Sequence, residues 1–448
     1  MPDKKALYSN RCWVNGKLQP ATIYIEKDKI SKVILGKPAQ PVTDLVDYGQ
    51  LVIMPGVIDA HVHINDPGRT EWEGFETATK AAAAGGITTL IDMPLNSSPV
   101  TVNVAAFQQK IKQGLLSKFY VNCGLYGGLV PDNLEDLEDL IKSGVLGIKC
   151  FLTHSGIDEF PNVGKKELEL AMPVIAKYKI PMLVHCEWTD KPAEKPDFPD
   201  TGSYPQYLAS RPKRWENEAV ALMVGLCEKH QCRTHIVHVA SAEALPIISG
   251  GKKKGLPLTA ETCPHYIYFH AEGIPDNHTL YKCAPPIREK ANNQQLKEAF
   301  KTGILDFIAS DHSPAPPDLK ELDSGNLMKA WGGISSLQYL LSAAWTSLKD
   351  DLTLETFIPL VTEKPAQFLN IQNQKGFLKK DMDADLTIWS PEESFVISKS
   401  QNLHKHKISP YTGETLSGKV AVTYVNGREV FNGKILDQLV GKWLLKEY

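Results

Sequence analysis

Residues 51–68 read LVIMPGVIDAHVHINDPG, and the way this stretch ends decides the fold. The apolar run Val57-Ile58-Asp59-Ala60 leads directly into His61-Val62-His63. Pro55-Gly56 punctuates before it, and Asn65-Asp66-Pro67-Gly68 carries turn chemistry after it. The pattern predicts a buried strand with both histidines at its C-terminal end. Side chains at i and i+2 share one side of a strand, so the two imidazoles converge. Two readings fit such a pair: chelation of a metal ion, or two hydrogen-bonded polar residues at a loop mouth. The rest of the chain decides between them.

Outward from this stretch, strand and helix patterns alternate from about residue 56 to 370. Strand patterns recur at 87–92, 119–125, 146–151, 181–185, 234–238, 256–261 and 307–310. Helical patterns lie between them at 75–85, 105–116, 134–143, 166–179, 215–230, 241–249 and 293–301. With the opening strand this makes eight units, which predicts an α/β fold of the (β/α)8 TIM-like barrel type. An open doubly wound sheet is the alternative, and eight units would be long for it. The chain ends read differently. Tyr8 to Val14 precedes the hairpin pair Asn15-Gly16, and Gly418 to Val425 is closed by Asn426-Gly427. A small β-sandwich domain built from both ends is expected, with residues 1–54 and 376–448 flanking a barrel at 55–375.

On these strands the polar residues gather at one end. The first ends in His61 and His63, the fourth carries Lys149, the fifth ends in His185, the sixth in His238, and the eighth runs into Asp311. C-terminal strand ends form the catalytic face of such a barrel. Histidine and carboxylate donors suit zinc or a similar divalent ion. Six candidate ligands exceed one tetrahedral ion and match two. Lys149 is the unusual member, since an ammonium beside cations is repelled and its pKa falls. A neutral lysine amine can take up carbon dioxide as a carbamate.

Composition narrows the class. The chain has 448 residues, 42% hydrophobic and 23% charged, as in a water-soluble globular protein. Its net charge of -3, from 49 basic and 52 acidic residues, gives no reason to expect nucleic acid. No apolar run is long enough for a membrane span, and MPDKKALYSNRC lacks the apolar core of a signal peptide. The eight cysteines form no CxxC pair, so a reducing, cytoplasmic setting is expected. Cys150 and Cys186 adjoin ligands but face the opposite side of their strands, as packing residues. Neither Gly85-Gly86 nor Gly332-Gly333 has the GxGxxG or GxxxxGK pattern, which leaves a nucleotide-binding barrel without support there.

The wording of these stretches resembles the cyclic amidohydrolases, a group that includes dihydropyrimidinase or hydantoinase, dihydroorotase and allantoinase. The matching segments are PGVIDAHVHINDPGRTEWEGFETATKAAAAGGITTLIDMPLNSSP, GIKCFLTHSG, VHCE, HIVHVAS, ETCPHY, KCAPPIR and ASDHSPAP, with KGFLKKDMDADLTIW near the C-terminus. Within the group, DPGRTEWEGF and KCFLTHSGIDEFPNV are most similar to allantoinases. The resemblance implies His61, His63, Lys149, His185, His238 and Asp311 as ligands of two divalent ions, zinc or else manganese, cobalt or iron, bridged by carboxylated Lys149. It implies opening of the hydantoin ring of allantoin to allantoate, a step of purine breakdown, by a hydroxide shared between the ions, with Asp311 as acid–base group. Hydantoinases carry a tyrosine soon after the carboxylated lysine, where this chain reads FLTHSG. Dihydroorotases carry an arginine directly after the HxH, where this chain has Ile64 and Asn65. A hydantoinase or dihydropyrimidinase is the rival enzyme, and an inactive scaffold of the same fold is the rival outside catalysis.

Other residues have weaker assignments. Asn96, His154, Ser155 and the stiff loop around Cys283 and Pro285 are candidates for a small cyclic ureide substrate. His265 is expected to support the ligands or the fold. Arg69 and Glu73 are expected to form a salt bridge, and His404 and His406, flanked by Lys405 and Lys407, to be solvated or at an interface. Residues 318–333 suit a lid or far pocket wall. Residues 188–215 suit an excursion over the barrel mouth or a subunit contact. A homotetramer or homodimer is the expected assembly.

Overall fold

The computed structural model describes residues 4–42, 44–188 and 198–448. Its centre is a set of parallel strands: β1 (Val57–Val62), β2 (Ile87–Asp92), β3 (Asn122–Leu125, resumed after Tyr126 by Gly127–Gly128), β4 (Ile148–Phe151), β5 (Met182–His185), β6 (Thr234–Ile236), β7 (Leu258–Thr262) and β8 (Phe307–Ile308). Each lies where the alternation predicts it. Every residue of β1 to β6 is buried. Burial on both faces is what parallel strands covered by helices require, and it explains their continuous apolar runs.

Pairing runs β1–β2–β3 in one sheet and from Gly127–Gly128 through β4, β5, β6 and β7 to β8 in another. The sheets adjoin at β3, where the Leu146 amide donates to the Leu125 carbonyl (2.9 Å) and the Gly127 amide to the Gly147 carbonyl (3.0 Å). At the opposite side, the His63 amide donates to the His312 carbonyl at 2.8 Å, and the Ser310 amide donates to Asp59 Oδ1 at 3.1 Å. Gly56 starts β1 because nothing larger fits: a Cβ there would stand 2.0 Å from Thr88 Oγ1.

Helices fill the connections. Phe75–Ala84 follows β1 and buries Phe75, Ala78, Ala81 and Ala82, a stripe at helical spacing whose small side chains permit close approach to the sheet. Val104–Leu116 starts on Asn103, whose side chain accepts from the Ala106 amide at 2.9 Å. Three helices beyond β8, Leu340–Leu348, Leu354–Val361 and Glu363–Phe368, complete the packing.

Both chain ends enter one further sheet, in the order Arg428–Phe431, Thr415–Val425, Leu386–Val396, Val52–Pro55, Lys4–Val14, Lys17–Glu26, Lys29–Leu35, with Leu45–Asp47 beside Lys4–Val14. Its two predicted hairpins turn at Asn15-Gly16 (φ 54° and 74°) and Asn426-Gly427 (φ 48° and 77°), the left-handed pairs such turns demand. The tail returns to the central strands: Trp443–Leu444 pairs with β3, and Trp443 packs edge-on to Phe119 and Phe75. Among the described residues no helix is long and apolar enough to cross a membrane. Of the excursion expected at 188–215, residues 189–197 lie outside the described residues. The remainder includes the helix Tyr204–Ser210.

Candidate active site

The C-terminal strand ends surround an open cavity of about 450 Å³ with His61, His63, Lys149, His185, His238 and Asp311 in its lining. The fold thus brings all six predicted ligands to one place. His61 Nε2 lies 3.2 Å and His63 Nε2 3.6 Å from Asp311 Oδ1. The His185 and His238 rings are 4.6 Å apart, and those of His61 and His238 5.5 Å. His238 and Asp311 stand at φ 39° and 45°, a left-handed conformation uncommon outside glycine that His and Asp reach more readily than most residues.

Each imidazole has one nitrogen engaged outside the centre or none at all. His61 Nδ1 lies 2.6 Å from Glu261 Oε1, which leaves Nε2 for the cavity. His185 Nε2 lies 2.8 Å from Glu187 Oε2, which leaves Nδ1. His238 Nδ1 is buried with no partner. Burial pushes His61 and His238 well below the ordinary imidazole range, so both are the neutral form that binds metal. Lys149 is wholly buried, its Nζ has no hydrogen-bond partner, and it stands 4.9 Å from the Phe151 ring centre. Burial pushes its ammonium down to about 8, against the opposing pull of Asp311 and Glu261. Orphaned buried donors and convergent imidazoles beside a carboxylate are the chemistry of a metal centre. His61, His63 and Asp311 already have ligand atoms within 4.8 Å of one another.

Supporting residues come from distant sequence. Glu187 is buried between His185 and Arg211, accepting from Arg211 Nε at 3.0 Å and from Arg211 Nη2. Burial alone would raise its pKa, but the Arg211 guanidinium holds the carboxylate at about 2. Such outer partners fix the orientation of a ligand histidine. Glu187→Gln is therefore expected to weaken metal affinity about 10- to 100-fold, read by competition with a chelator. Unchanged affinity would remove Glu187 from the support of the centre.

The weaker assignments fare unevenly. Asn96 lines the cavity, with Nδ2 3.3 Å from His63 Nδ1. His154 and Ser155 are at the rim, but the Ser155 hydroxyl is turned to the Ile157 and Phe160 carbonyls of its own loop. In the loop after β7, Lys282 and Ala284 line the cavity, and Cys283 and Pro285 do not. The carbonyls of Cys283 and Pro285 accept from the Tyr207 and Tyr266 hydroxyls instead. His265 is fully buried with neither ring nitrogen partnered, and it groups with Cys263 and Asp311. Cys150 and Cys186 pack in the apolar core.

Two expectations are corrected. Arg69 does not pair with Glu73. It reaches Glu159 at 2.7 Å and the Asn96 carbonyl at 3.1 Å, while Glu73 is buried beside His312 at 3.3 Å. His404 is not solvated: it is buried with its ring 4.7 Å from that of His312, because the polar tract folds back under the rim. The cavity wall also contains Tyr207, Arg211, Trp215 and Trp331, which the sequence reading did not single out.

Residues 52–430 match the model of the amidohydrolase family. This chain belongs to the amidohydrolase family. As an amidohydrolase it is 44% identical over 402 residues to the allantoinase of Arabidopsis thaliana, a match covering 86% of this chain and 79% of that protein. It is 39% identical over 433 residues to the allantoinase of Streptomyces avermitilis, covering 96% of each. Among solved structures it is similar to the L-hydantoinase (dihydropyrimidinase) of Arthrobacter aurescens, with TM-score 0.90 and 28% identity over all of both chains.

Proposed function

We propose that this amidohydrolase opens the hydantoin ring of allantoin to give allantoate. The observation that carries the reading is its similarity to allantoinases over nearly the whole chain, joined to a cavity that gathers four histidines, a lysine and an aspartate. His61, His63, His185, His238, Lys149 and Asp311 would hold two divalent ions, zinc or else manganese, cobalt or iron, with Lys149 carboxylated between them. In support, its amine is buried and unpartnered, and an amine brought down to about 8 has a neutral fraction able to take up carbon dioxide. When bound, such a pair supplies a water of lowered pKa and polarises the ring carbonyl.

The chain's own residues do the rest. Water adds to the carbonyl carbon and the ring C–N bond breaks, giving a ureide N–H and a carboxylic acid that releases its proton to solvent as the carboxylate. Asp311 accepts the proton from the attacking water at a carboxylate oxygen and delivers it to the departing ring nitrogen. The neutral imidazoles stay as donors throughout. Asn96, with Lys282 and Ala284 of the loop after β7 and His154 at the rim, would face the ring and its arm.

The architecture that carries this site is a closed (β/α)8 barrel at 55–375 with a small β-sandwich domain from residues 1–54 and 376–448. The backbone hydrogen bonds on either side of the two parallel sheets support closure, and the single sheet drawn from both chain ends supports the second unit. The substrate reading is tested by specificity constants measured side by side on allantoin, dihydrouracil and 5-substituted hydantoins. Allantoin is expected to be preferred. A higher kcat/KM for dihydrouracil would overturn the substrate and leave the fold and metal centre standing.

A further inference from the structure

Among the described residues that line the cavity, Trp331 Nε1 is a buried donor with no partner and lies outside the proposed ligand set. Trp331 sits in the wall formed by the segment after β8. Its ring packs edge-on to Trp72 with centroids 4.9 Å apart, and a Cβ on Gly156 would stand 3.4 Å from it. A buried indole N–H is a donor only, and leaving it unpaired is unfavourable.

That wall is fastened from behind by a single buried ammonium. Lys320, 3% exposed, donates to the carbonyls of Trp331 (2.9 Å), Gly333 (2.9 Å) and Lys282 (3.3 Å). Lys282 in turn donates to the Met328 carbonyl at 3.0 Å. Residues 328–333 are thereby joined to the loop at 282–284, and a Cβ on Gly332 would stand 3.6 Å from Ala284 Cβ. Both segments line the cavity, and the clamp fixes the separation between them.

We infer that Trp331 is a specificity-determining residue for the arm carried by the ring substrate. Its indole N–H donates to the arm's carbonyl, and Lys320 is the positioning residue that holds Trp331 in place. This rests on the hydantoin-ring reading above. A urea arm supplies a carbonyl acceptor, so it satisfies the orphaned indole N–H. An alkyl arm leaves it unpaired, and sites of that kind discriminate strongly.

The test compares kcat/KM for allantoin with that for 5-butylhydantoin, which has the same ring and an alkyl arm, in the metal-loaded wild-type protein, Trp331→Phe and Lys320→Met. Trp331→Phe keeps the aromatic ring and removes the N–H. It is expected to lower the allantoin-to-butylhydantoin ratio about 10- to 100-fold, mainly by raising KM for allantoin. Lys320→Met is expected to lower the ratio in the same direction, again through KM. A ratio within two-fold of wild type in Trp331→Phe, or in Lys320→Met should the first variant not fold, overturns the inference. An equal loss on both substrates assigns the wall a purely structural role and overturns it as well. Wild-type protein that opens butylhydantoin but not allantoin overturns the reading of function itself, an outcome distinct from either.

Discussion

Lys149→Ala is expected to bring allantoin turnover down to that of metal-stripped protein, a loss of more than about 1,000-fold. A single oxyanion-stabilising donor is worth about 100- to 1,000-fold, and this change would remove both the polarisation and the activated water that the proposed ions would supply. Its physical basis is the burial of an unpartnered amine among the ligands, with the ammonium pushed down to about 8. Metal content should fall with turnover, since the alanine removes a side chain that would help hold the ions. Short carboxylic acids supplied with metal should restore part of the activity by occupying the bridge. Lys149→Met serves as control, because it keeps the side-chain volume and should lose metal equally without opening a cavity. Wild-type metal content and turnover in Lys149→Ala would end the carbamate account.

Asp311→Asn separates coordination from proton transfer. The amide oxygen can still coordinate, weakly, but it cannot accept and return a proton. Turnover should fall about 100- to 10,000-fold, the range of a general acid–base group, with KM for allantoin changed only a few-fold. Asp311 Oδ1 is 3.2 Å from His61 Nε2 and 3.6 Å from His63 Nε2, so some loss of metal is also expected, and occupancy must be measured in the same sample. An occupied, folded Asp311→Asn protein with near-normal turnover would move the proton transfer to another residue.

The parts of this site that were legible in the sequence lie at strand ends. A continuous apolar run followed by turn residues places a strand end to within a residue or two, and a polar side chain at that point has few places to go. His61, His63, His185, His238 and Asp311 follow that rule, Lys149 is the second residue of β4, and all six share one cavity. What was not legible depends on contacts between distant segments. Arg211 reaches Glu187 across 24 residues and Arg69 reaches Glu159 across 90, with no local pattern to announce either. His404 was misread for the same reason. Its lysine neighbours suggest solvent, but packing against His312 buries it. Trp331 sits in a long irregular segment, where neither helical nor strand periodicity says which way a side chain turns. The loop around Cys283 and Pro285 reaches the cavity through Lys282 and Ala284, while two tyrosine hydroxyls take the Cys283 and Pro285 carbonyls, contacts that no local pattern announces.

The central claim is that allantoin is hydrolysed at a centre of two metal ions held by this rim. The most direct measurement titrates metal-stripped protein with a single divalent ion, determining ions bound and allantoate formed in the same samples. The account predicts that activity rises with occupancy and levels off at about two ions per chain. Full allantoate formation at one ion or fewer, or two bound ions with no allantoate formed, would contradict it.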